Sequence, residues 1–112
     1  MRASLAAAAI AALLSAPQAR ADDALTTAEL QKLFPGTFMA VVHGTVKVTF
    51  TAKGNGVLIG QMPGKSDEGR WSLENGKLCI MLSNWTHGHS TCSVVVADNG
   101  WYRGEGVVFR KI

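Results

Sequence analysis

The 112-residue chain has no apolar run of about twenty residues, the length a membrane-spanning helix needs. Its longest uncharged apolar stretch, Leu5 to Leu14, is too short to stay in a bilayer. There is no Gly-rich phosphate loop, no dinucleotide fingerprint and no Gly-x-Ser-x-Gly elbow, so the common nucleotide-binding and serine-hydrolase signatures are absent. Lys and Arg are scattered rather than striped, which removes the electrostatic case for nucleic acid. Only two cysteines occur, at a spacing foreign to Cys-x-x-Cys redox chemistry. Paired carboxylates in a recognisable catalytic setting are also missing, so an enzyme is the least favoured class.

The N-terminus is an export leader by pattern. Arg2 supplies the positive region, Leu5 to Leu14 the apolar region, and Ala19-Arg20-Ala21 a small-x-small cleavage site. No cysteine follows the apolar region, so lipidation is not expected. Residues 1–21 are read as a signal peptide and residues 22–112 as a single small domain, periplasmic or secreted, with no stable membrane anchor after cleavage. The formal charge of +3 counts Arg2 and Arg20, so the mature chain is close to neutral. A domain this small buries only about 60–65% of its unfolded surface, and a covalent staple would help it. Two cysteines in an exported chain favour a Cys79–Cys92 disulfide, worth roughly 3 kcal/mol for a loop of about 14 residues.

The mature chain begins with one short helix. Thr26 or Thr27 caps it, with Glu29 placed for a capping box. Leu30, Leu33 and Phe34 share a face, and Pro35-Gly36 ends it. Two turns of helix do not persist alone, so the apolar face must dock on the sheet. After Gly36 the apolar period falls to two: Val46, Val48 and Phe50 alternate with Lys47 and Thr49. Glycine-marked turns recur near residues 44, 55, 64, 76, 88 and 99, the rhythm of an antiparallel meander. The expected fold is mostly β, six to eight antiparallel strands in a curled sheet or small barrel, with one short N-terminal helix over one end or face.

Within this scheme Pro63 to Glu68 reads as a polar loop, and Asp67, Glu68 and Arg70 as a solvated edge. Thr91 to Ala97 reads as one strand. Leu78, Ile80 and Leu82 point inward, which leaves Cys79, Met81, Cys92, Val94 and Val96 on the outer side. Either that side is also covered, by the helix for example, or a bulge shifts the phase between Thr91 and Val96.

The segment that stands apart is the polar connection Ser83 to Ser90. Asn84, Trp85, His87 and His89 are the candidate ligand or partner residues. Trp85 either projects as an anchor or folds back over the barrel mouth; the burial habit of tryptophan favours the second. His87 and His89, with His43 as a third, are weak metal candidates, because a site needs three or four ligands. No cofactor is implied. Trp71, Trp101, Tyr102, Phe50 and Phe109 lie on strand-like runs and read as core or cross-strand aromatics.

Gly69-Arg70-Trp71, Asn75-Gly76-Lys77-Leu78-Cys79, Trp85, Cys92 and a following Gly-aromatic pair, with the lead-in Leu30-Leu33-Phe34-Pro35-Gly36, together resemble one family. It comprises small exported proteobacterial proteins carrying the domain of unknown function numbered 995. The resemblance implies a periplasmic location and this fold, and it carries no catalytic residues. The function expected is non-enzymatic binding of a small molecule or a periplasmic protein. The alternatives are a lysozyme-type hydrolase inhibitor presenting Asn84 to His89, and a metal binder.

Overall fold

The computed structural model describes residues 24–112. The expected leader, residues 1–21, lies outside them, as do Asp22 and Asp23. Helix α1 (Thr27–Leu33) forms where the capping box places it. The Thr26 side chain accepts the Glu29 N–H, and the Glu29 carboxylate accepts the Thr26 N–H in return. At its other end Lys111 Nζ donates to the Leu33 carbonyl at 2.9 Å, a cation on the negative end of the helix.

Nine strands follow: β1 (Gly36–Val42), β2 (Val46–Ala52), β3 (Val57–Met62), β4 (Lys65–Glu74), β5 (Lys77–Leu82), β6 (Ser90–Ser93), β7 (Val96–Asp98), β8 (Trp101–Gly104) and β9 (Val107–Lys111). All pairings are antiparallel, and the sheet order is β6-β5-β4-β3-β2-β1-β9-β8-β7. The first strand therefore pairs with the last. The two outer strands, β6 and β7, are separated in the chain only by Val94 and Val95, so the curled sheet comes round on itself. The strand count exceeds the expected six to eight because the run Thr91 to Ala97 leaves β5 after Ser93 and joins β8 at Val96.

The inner face follows the alternation. Phe38, Ala40, Val48, Ala52, Leu58, Leu78, Leu82 and Phe109 are buried there. Leu30 and Phe34 of the helix segment seal one end. Phe34 sits against Phe38 (ring centroids 4.7 Å), Trp71 (5.5 Å) and Phe109 (6.2 Å), and Tyr102 continues the cluster from Phe109 (5.7 Å). Trp101 takes the cross-strand rather than the core form of the expectation. It lies outside, with the Arg110 guanidinium 5.1 Å from its ring centre.

Two local expectations are corrected. The polar loop shrinks to the Pro63-Gly64 turn, since Met62 already pairs with Lys65 and Gly60 with Asp67. Asp67 is not a solvated edge residue: it is 6% exposed. As for the outer side of β5 and β6, no bulge shifts the phase and the cover is partial: Cys79 is buried, and Met81 and Val96 are half-buried. Cys79 bonds Cys92 directly across the ladder. Val94 is left exposed, Val95 is fully buried inward, and the phase holds. Val96 is met by the incoming chain through a bridge to Ala24, and the Leu25 N–H donates to the Val95 carbonyl.

The tight turns have a shared chemistry. His43-Gly44, Asn75-Gly76, His87-Gly88 and Asn99-Gly100 each place two successive residues at positive φ. That is the type I′ signature, and Asn and His are among the side chains that tolerate the first position. Among the described residues no helix is long and apolar enough to cross a membrane.

Candidate functional site

Antiparallel order puts four connections at one end of the barrel: His43 to Thr45, Pro63-Gly64, Ser83 to His89, and Glu105-Gly106. Helix α1 and the turns at Lys53 to Gly56, Asn75-Gly76 and Asn99-Gly100 occupy the other end. The helix end is plugged. The opposite end is open and holds a cavity of about 570 Å³.

Its wall is apolar: Val42, Val46, Val48, Phe50, Met62, Ile80, Leu82, Trp85 and Val107. Its polar lining, from His43, Lys65, Thr86, Thr91 and Glu105, comes from the turns and the strand ends beside them. Below it a smaller void of about 50 Å³ is lined only by apolar side chains down to Phe34 and Phe38. Phe50, Ile80 and Val107 border both spaces, so the smaller void lies next to the cavity on the side of the plug. Small inward residues, Ala40 on β1 and Ala52 on β2, leave room for the lower void.

Gly60 is where the mouth loop meets the barrel. A Cβ there would stand 2.5 Å from Trp85 Cζ3 and 3.2 Å from Phe50 Cε1. The Trp85 ring therefore folds back over the missing side chain, half-buried, and forms part of the cavity wall. What holds it there is Asp67, opposite Gly60 on β4. One carboxylate oxygen accepts the backbone N–H of Trp85 (2.8 Å) and of Asn84 (2.9 Å). The other accepts the Asn84 side-chain amide (3.0 Å) and the Glu68 N–H (2.9 Å). The Trp85 N–H bond is the chief cause that holds the Asp67 carboxyl below its ordinary value; burial opposes it, and the Asn84 and Glu68 bonds add to it. Thr86 ties the other side of the loop. Its hydroxyl accepts the Leu82 N–H (2.9 Å) and lies 2.9 Å from the Leu82 carbonyl and 2.8 Å from that of His89.

The expected site residues thus divide. Asn84 and Trp85 point into the Asp67 anchor and the cavity. His87 and His89 lie exposed on the outer side of the same loop, and His87 is one of the positive-φ turn residues. His43 lies at the rim, in the β1–β2 turn. Among the described residues no three His, Cys, Asp or Glu side chains converge on a metal position. Sequence reasoning missed Lys65, Asp67, Gly60 and Glu105. Parity holds the signal for Asp67: on one strand it shares a face with Gly69, Trp71 and Leu73. A glycine inside a strand, as at Gly60, marks a close approach of something else.

A curled antiparallel sheet, plugged by a helix at one end and open at the other onto an apolar pocket, defines a calyx-like β-domain. The chain belongs to the family described as "Protein of unknown function (DUF995)", whose model matches residues 2–111. Comparison with curated proteins found no match, and comparison with solved structures found none.

Proposed function

We propose that this protein is an exported, non-enzymatic binding module that takes a small, largely apolar molecule into the open end of its barrel. The observation that carries this is the cavity of about 570 Å³ with apolar walls and a polar rim. That size falls within the roughly 300–1,000 Å³ of small-molecule sites. The leader pattern at Arg2, Leu5–Leu14 and Ala19-Arg20-Ala21, with the Cys79–Cys92 bond, supports a periplasmic or secreted location. N-terminal sequencing of protein recovered from the periplasm should begin at Asp22; an intact Met1 in the cytosol would remove the export reading.

Binding is tested by titrating the expressed protein with N-phenyl-1-naphthylamine, an uncharged apolar fluorophore. Saturable enhancement is expected, together with a shift in Trp85 emission. Thr91→Trp, at an exposed rim position, should block entry while leaving the fold intact by circular dichroism. Absence of saturable binding to the folded protein overturns the reading.

A second reading has its own support. The Asp67 and Thr86 hydrogen bonds pre-order the Asn84–His89 loop, with His87, Gly88 and His89 exposed. A pre-ordered projecting loop is what an inhibitor of a cell-wall hydrolase inserts into a cleft. Unchanged lysozyme-type activity at saturating protein would exclude it for the enzymes assayed. The metal reading has no convergent ligand set to build on among the described residues.

A further inference from the structure

The rim carries two charges that the fold leaves unanswered. Among the described residues the one ion pair is Arg103 with Asp98, on the outer face. Neither Lys65 nor Glu105, both of which line the mouth, joins it. Lys65 follows the β3–β4 turn, and Glu105 sits in the β8–β9 turn. Around the mouth they are separated by the β1–β2 turn on one side and the Ser83–His89 loop on the other. They therefore present an ammonium and a carboxylate from opposite sides of one opening. The interior beneath them is apolar, and the space next to it toward Phe34 and Phe38 is only about 50 Å³.

An occupant must satisfy both ends of this gradient. A polar head pushed down the shaft would lose its hydration without a partner, so the head stays at the rim and the tail descends. That small space suits one chain rather than two. A purely anionic head would gain Lys65 but oppose Glu105, and a cationic head the reverse. Resting on the cavity reading above, we infer that the ligand is a single-chain amphiphile with a zwitterionic head, its anionic group toward Lys65 and its cationic group toward Glu105. It is taken as a free monomer, because the rim shows no basic cluster to hold a membrane surface.

The test compares three probes of equal tail length below their micelle concentrations: dodecylphosphocholine, dodecyl phosphate and dodecyltrimethylammonium, followed by calorimetry and tryptophan emission. The zwitterion should bind tightest. Each of Lys65→Gln and Glu105→Gln should weaken it up to roughly fivefold, the scale of one solvent-exposed charge pair. Glu105→Gln should in turn improve dodecyl phosphate. Equal affinity for all three probes, unmoved by either variant, overturns the zwitterion inference and leaves the cavity reading standing. Binding of none of them, nor of the uncharged fluorophore, sinks the cavity reading itself. Co-sedimentation with phosphatidylcholine vesicles as strong as monomer binding overturns the free-monomer assignment.

Discussion

At Asp67 a single buried carboxylate takes four N–H donors, three of them from Asn84 and Trp85. These bonds fasten the mouth loop to β4 across 17 and 18 residues of chain. Asp67→Ala should raise hydrogen exchange at the Asn84 and Trp85 amides selectively, and shift Trp85 emission to the red as the ring leaves Gly60. The pH dependence follows from the depressed folded-state value. Its contribution is complete above the ordinary carboxyl value of 3.8 and is lost as pH falls through the lower folded value. Loop protection should therefore hold from neutral pH to about 4 and fall only in stronger acid. A loss of protection near pH 6 would refute this assignment. Gly60→Val tests the other half of the contact. The added methyls meet Trp85 and Phe50, with a cost of about 1–3 kcal/mol and a displaced tryptophan. Denaturant titration and emission read the two effects.

Among the elements, helix α1 is the most legible, because all its determinants are local. Thr26, Glu29, Leu30 and Phe34 act within nine residues, and the capping box forms as the spacing requires. Thr26→Ala should cost about 1 kcal/mol in thermal unfolding. Strand β4 is the least legible. Its first four residues, Lys65-Ser66-Asp67-Glu68, have no apolar alternation because they lie at the open end, where an inward side chain meets either cavity or Asn84. A polar strand end and a polar loop look alike until a partner strand is in place. Strands β6 and β7 show a related ambiguity. Thr91 to Ala97 reads as one strand, and its division depends on β5 and β8 competing for it.

For the whole molecule, the disulfide and the plug matter more than any single contact. The Cys79–Cys92 bond ties β5 to β6 at one outer strand of the sheet. The double variant Cys79→Ser, Cys92→Ser should unfold at lower denaturant by about 3 kcal/mol, with near-native far-UV circular dichroism before the transition. Two free thiols titrating in the folded native protein would contradict the bond. The sequence by itself determined the antiparallel meander, the helix and its cap, and the disulfide pair, because turn residues, a period of two and local spacing are written along the chain. Only the tertiary structure decided that β1 pairs with β9 and that one end stays open. It also brought Lys65, Glu105, Trp85 and Asp67 to the same mouth. That assembly depends on strand pairing and on contacts such as Trp85 over Gly60 and Asn84 with Asp67, relations between distant positions that no local pattern contains.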